Sequence, residues 1–197
     1  MGGETASGGA TSSEAAGSAG APRPGAAGLP GPSGIGTGVA FDWALCAELI
    51  ILAILFLAGQ RPFAMDMSRA AVAASGVALL AVSVPIFLQG EGLRRGRRWA
   101  WIIQVIFNAL LIPVGLVSLP GAVARVGSGR FGDLVVALVE SVVSGTLLFL
   151  LLRPNTRAWV GSVSAREASA RHGGRWLVWM VVYAIIGGAA IALNAYY

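Results

Sequence analysis

Beyond residue 40 the chain alternates long apolar runs with short polar stretches dominated by arginine. The runs are Phe41–Ala58, Ala70–Gln89, Trp99–Ser118, Leu134–Leu152 and Trp176–Tyr196. Each holds about 18–21 residues, the length at which an α-helix rising ~1.5 Å per residue spans ~30 Å of hydrocarbon. Most are too long for core helices of a soluble domain, and they follow one another through short loops. The pattern predicts an all-α transmembrane helical bundle of five spans over residues 41–197.

Residues 1–40 read differently. They are Gly, Ala, Ser, Thr and Pro with almost no large apolar side chain. Such a segment buries too little surface to offset the entropy of ordering it, so a disordered N-terminal tail is expected. Its charges, Glu4, Glu14 and Arg23, are too sparse to make an acidic or basic arm. The first apolar run begins too far from the N-terminus for a cleavable signal peptide.

Composition supports the membrane class. Only 12% of the residues are charged and 56% are hydrophobic, against roughly 25% charged in soluble domains. All 14 cationic side chains are arginine, and the net charge is +5. That balance does not imply nucleic acid, because no basic groove interleaved with aromatics is present. Basic residues instead collect in the cytoplasmic loops of membrane proteins. Cys46 and His172 are each the sole residue of their kind, so neither an intrachain disulfide nor a His/Cys metal site is expected. No phosphate-binding loop, nucleophile elbow, zinc-protease motif or dinucleotide fingerprint occurs. No cofactor and no catalytic residue is therefore expected.

Arginine also sets the orientation. Across five spans, ten arginines fall on one side: Arg23, Arg94, Arg95, Arg97, Arg98, Arg153, Arg157, Arg166, Arg171 and Arg175. Four fall on the other: Arg61, Arg69, Arg125 and Arg130. The positive-inside bias predicts a plasma-membrane protein with its N-terminus in the cytoplasm and Tyr197 outside. Trp43, Trp99, Trp101, Trp176 and Trp179 lie at or near the inner ends of the predicted spans, where amphipathic rings prefer to sit. In the last cytoplasmic loop, Ser164 and Glu167 have capping-box spacing, so a short helix is expected there. Trp159, Val160 and Val163 just before it are candidates to rest on the membrane surface.

The stretch Gly92-Leu93-Arg94-Arg95-Gly96-Arg97-Arg98-Trp99-Ala100 is followed by Asn108-Ala109-Leu110-Leu111-Ile112-Pro113-Val114-Gly115. With Leu151-Leu152-Arg153-Pro154-Asn155-Thr156-Arg157-Ala158-Trp159 it resembles small multi-pass integral membrane proteins of actinobacteria, over about residues 42–160. The resemblance implies four spans, an Arg-rich middle turn and a basic C-terminal end, and it carries no active residues with it. The run after Arg175 departs from that plan, which leaves four spans as the alternative topology.

Few residues inside the spans carry chemistry. Intramembrane ionisable groups are expensive, and Glu48 and Glu140 are the two candidates. Glu48 lies seven residues into the first predicted span, about 10 Å below the inner boundary. Glu140 lies six residues into the fourth, about 9 Å below the outer boundary. The expectation is that they occupy opposite leaflets and do not meet. Gln104 and Asn108 are four apart, on one face of the third span, where such side chains join helices by hydrogen bonds. Ser141, Ser144 and Gly145, and separately Ala184, Gly188 and Ala192, are small residues at helical spacing and mark close helix contacts. Pro113, with Gly115 nearby, predicts a kink. Arg94, Arg95, Arg97 and Arg98 are candidates for anionic lipid head groups.

The sequence thus points to a non-catalytic structural or accessory membrane protein. Its expected partners are the bilayer, anionic lipid, and a membrane-protein partner or a second copy of itself. The alternative is a proton- or cation-coupled transporter or channel subunit using Glu48 and Glu140.

Overall fold

The computed structural model describes residues 32–60, 67–127, 131–172 and 175–194. Among these, every regular element is helical. Four helices are long and apolar enough to cross a membrane. They are α1 (Ser33–Leu57), α2 (Arg69–Arg94), α3 (Arg98–Val126) and a composite helix over Gly132–Leu152. The composite is α4 (Phe131–Leu138), a π turn (Val139–Val143) and α5 (Ser144–Leu152). Short helices α6 (Pro154–Trp159) and α7 (Ala165–His172) lead to α8 (Arg175–Asn194). Much of the outer surface is apolar, with Val117 83% and Phe149 62% exposed, as suits side chains facing hydrocarbon.

The first helix starts eight residues before the predicted span. Residues 33–40, which composition assigned to the tail, are helical, and Ile35 and Val39 are core residues. These two apolar side chains, four apart, give the Gly-rich stretch one face worth burying. The rest of the expected tail, residues 1–31, lies outside the described residues. Helix α3 is likewise longer than its span and runs through Pro113 and Pro120 to Val126.

Chain turns follow local chemistry. At the end of α2, Gly96 has φ +67°, its N–H donates to the Leu93 carbonyl, and the Arg97 N–H donates to that of Gly92. This is a Schellman cap, which satisfies terminal carbonyls and needs the left-handed conformation glycine supplies. Ser68 caps α2 by accepting from the Ala71 N–H, and Ser164 caps α7 by accepting from the Glu167 N–H as its spacing predicts.

Helix α1 lies centrally, antiparallel to α2 on one flank and parallel to α8 on the other, while α3 packs along α4, the π turn and α5. Glycines permit the close approaches. A Cβ on Gly188 would fall onto the Ala44 carbonyl oxygen and 2.8 Å from the Glu48 nitrogen, and one on Gly115 would fall 2.6 Å from the Ser141 nitrogen. The small-residue stripe of α8 thus does pack against a neighbouring helix, with Ala184 and Ala192 buried beside Gly188. In the other stripe Ser141 and Ser144 are buried, but Gly145 faces open space.

One end of the bundle gathers the Arg-rich segments. Ile35, Val39, Leu93, Ala100, Leu151, Trp159, Ala168 and Met180 form a single core there, with Val160 and Val163 packed against it. Trp159 is therefore buried and both valines are partly covered, because α6 folds back over the α2–α3 turn. The Gly161 N–H donates to the Gly96 carbonyl at 3.1 Å, and the Trp101 indole donates to the Leu151 carbonyl at 3.0 Å. Trp43 is not at a rim. The early start of α1 carries it into the bundle, where it stacks on Phe87 at 5.7 Å. The side chains of Trp176 and Trp179 lie outside the described residues.

Candidate functional site

Three polar constellations stand out from the apolar frame. The first is buried between α1, α2 and α3, toward the Arg-rich end. Asp42, Gln89, Gln104 and Asn108 are 3%, 9%, 1% and 0% exposed. The Gln89 amide donates to the Ala100 carbonyl at 2.6 Å and to the Gln104 side-chain oxygen at 3.3 Å. The Asn108 amide donates to the Gln104 backbone carbonyl at 2.8 Å. The Asp42 carboxyl lies beside the Gln104 side chain. Asp42 Oδ2, Gln89 Oε1, Gln104 Nε2 and Asn108 Oδ1 are buried without hydrogen-bond partners among the described residues. Nearby, the Cys46 thiol donates to the Ser83 carbonyl at 3.5 Å.

The second constellation is a cleft holding both glutamates. A cavity of about 210 Å³ is lined by Glu48, Glu140, Phe41, Leu45, Phe107 and Val139, among other apolar residues. A second cavity of about 190 Å³ shares Phe41, Leu45, Glu48 and Val139 and reaches Tyr183 and Gly187 on α8. This overturns the expectation that the two carboxylates do not meet. Because α1 begins at Ser33 and ends at Leu57, Glu48 sits nine residues from its far end. Glu140 sits nine residues from the start of α4 at that same end. Each is about 13 Å deep from that end at ~1.5 Å per residue. Glu140 belongs to the π turn, whose widened backbone is steadied by Ser141, donating to the Ala137 carbonyl at 2.7 Å. Single π turns interrupting α-helices are frequent at functional sites.

The third is the basic face. Arg94 and Arg95 both pair with Glu91, at 2.6 and 2.7 Å. Arg94 is largely covered, whereas Arg95, Arg97, Arg98, Arg153, Arg157 and Arg166 are exposed at the same end. The α2–α3 turn and the α6–α7 segment, distant in sequence, are joined there by the Gly161–Gly96 bond. At the opposite end Arg125 pairs with Asp133 at 2.6 Å.

The predicted residues are therefore regrouped. Gln104 does join helices, through Gln89, while Asn108 bonds within its own helix. Glu48 and Glu140 come together, and in the Arg94–Arg98 turn Arg94 is covered by its pair with Glu91, Arg95 is paired yet exposed, and Arg97 and Arg98 are exposed. Sequence reasoning missed Asp42, Gln89 and Glu91. Asp42 stood at the second residue of the predicted first span, and Gln89 at the last residue of the second, so both read as rim positions. The signal that could have found Asp42 was the Ile35/Val39 pair, which extends α1 backward and sinks Asp42 into the bundle. No protein-family model, curated protein or solved structure matches this chain.

Proposed function

We propose that the chain is a five-span protein of a bacterial plasma membrane. Its N-terminus lies in the cytoplasm and its C-terminus outside, and it serves as a non-catalytic accessory component held against anionic lipid. The observation that carries this reading is the basic face: six exposed arginines from two separate segments, gathered at one end of an otherwise apolar bundle. Guanidinium groups bind phosphate bidentately, and each near an anionic surface contributes about 1 kcal/mol. The fifth crossing is assigned to α8, which runs parallel to α1 from that same end.

Topology is testable by fusion. A reporter active only outside the membrane should give signal after Gly127 and after Tyr197, and none after Gly173. Silence after Tyr197 would return the four-span alternative. For lipid, phosphatidylglycerol added to detergent micelles should raise the unfolding temperature more than phosphatidylcholine does. Arg97→Ala/Arg98→Ala should lose about 1–2 kcal/mol of that difference, and salt should screen the remainder. An unchanged difference would sink lipid binding by this turn.

A second reading is supported by the cleft. Two carboxylates at one depth among apolar walls are what a proton- or cation-coupled subunit would use. Proton or cation flux in liposomes, abolished in Glu48→Gln or Glu140→Gln, would favour it over the accessory role.

A further inference from the structure

Glu48 and Glu140 share their cleft with side chains that bear no positive charge. Phe41, Leu45, Phe107, Leu111, Val136 and Val139 supply most of the wall. The two carboxylates are only partly covered, and the two cavities beside Glu48 share Phe41, Leu45 and Val139 in their walls. An ionised carboxylate in such surroundings loses much of its hydration, and a nearby cation compensates that loss. The composition of the walls decides which kind of cation fits. A hard inorganic cation such as Ca²⁺ takes about six to eight oxygen ligands, and this lining is mostly hydrocarbon. An acyl chain would suit the walls but leave both carboxylates uncompensated. A cation that carries its own apolar surface satisfies both demands. Its charge faces a carboxylate, its substituents bury against the aliphatic residues, and the Phe41 and Phe107 rings are the type of group that attracts a desolvated cation.

We propose that the Glu48–Glu140 cleft is a binding site for lipophilic organic cations, such as aryl phosphonium or quaternary ammonium compounds, an inference that rests on the cation-handling reading of the same cleft. The π turn gives the site its shape. It carries Glu140 on a widened stretch of backbone held close to α3, where Gly115 leaves no Cβ between the two helices. The cleft's position, roughly midway along α1 and the composite helix, makes it reachable from the bilayer, where such compounds partition.

The test uses the full-length protein in mild detergent and two probes of one shape and opposite charge, tetraphenylphosphonium and tetraphenylborate. Equilibrium dialysis should show saturable binding of the phosphonium and none of the borate. Glu48→Gln/Glu140→Gln should weaken phosphonium binding by about tenfold or more, as expected when a desolvated charge partner is lost. Leu45→Trp, which fills the shared wall and leaves both carboxylates in place, should also reduce binding. That second variant keeps the test decisive if the double variant fails to fold. Equal uptake of both probes, or phosphonium binding unchanged in a folded variant, would overturn the proposal. Absent phosphonium binding alongside Glu-dependent proton or inorganic-cation flux would overturn it too, while leaving the cation-handling reading standing. Loss of both would remove both.

Discussion

Replacing Gly188 by leucine should separate α8 from α1 and lower the unfolding temperature of the bundle by the largest margin of any single change along this helix pair. A Cβ at this position falls onto the Ala44 carbonyl oxygen, 2.8 Å from the Glu48 nitrogen and 2.9 Å from the Ala47 Cβ. The first two neighbours are backbone atoms of α1, which cannot move aside as a side-chain tip would. Overpacking a core typically costs about 1–3 kcal/mol, and obstruction by backbone belongs at or beyond the upper end. A cross-link reads the same contact directly. A Cβ on Gly187 lies 3.8 Å from the Ala44 Cβ, close to the mean of about 3.8 Å in disulfides. In a Cys46→Ala background, Ala44→Cys/Gly187→Cys should therefore oxidise readily, and adding Gly188→Leu should suppress the bond. A parent background in which Ala44→Cys/Gly187→Cys fails to cross-link, or a Gly188→Leu protein that unfolds like the parent, would refute the close α1–α8 pairing. Without that pairing, the assignment of α8 as a fifth span would lose its packing partner.

The second large effect is expected at Gln104, which touches polar groups from two other helices. It accepts from Gln89 and lies beside Asp42, and all three are at least nine-tenths buried. Gln104→Leu removes the Gln104 amide from beside the Asp42 carboxyl and takes away one of the two acceptors of the Gln89 amide. Orphaning a buried polar group costs about 1–3 kcal/mol, and hydrogen bonds between membrane helices average about 0.6 kcal/mol with a ceiling near 1.7. The loss should accordingly be about 1–2 kcal/mol, measured by thermal or denaturant unfolding in detergent. Gln104→Leu/Asp42→Leu should recover part of it, because the Asp42 carboxyl is then no longer left facing an apolar side chain, while the Gln89 amide keeps its bond to the Ala100 carbonyl. A double-mutant cycle with coupling near zero would show that Asp42 and Gln104 are independent. Additive losses would mean that each is held by something other than the other.

The sequence alone determined the material of this protein. Runs of about 20 apolar residues can only be helices that hide their own backbone polar groups in hydrocarbon, so the helical class and most span positions follow from length and hydropathy. Local chemistry was legible for the same reason: the Ser164 cap depends on residues within one turn of each other. The Gly188 stripe was visible as small-residue spacing, although the identity of its partner, α1, was not.

Tertiary structure decided depth and company. An end-point error of eight residues in α1 shifts every depth along it by about 12 Å at ~1.5 Å per residue. That shift separated Glu48 from Glu140, left Asp42 at the start of a span, and put Trp43 at a helix end rather than beside Phe87. Helix ends are set by what can bury the terminal turn, here Ile35 and Val39 against Leu93, Leu151 and Met180. Those contacts come from segments more than fifty residues apart, and hydropathy counts only neighbours along the chain. The Glu48–Glu140 cleft and the basic face have the same origin. Each is built from helices whose adjacency depends on packing against one another, through the close approach at Gly115 and the bond from Gly161 to Gly96.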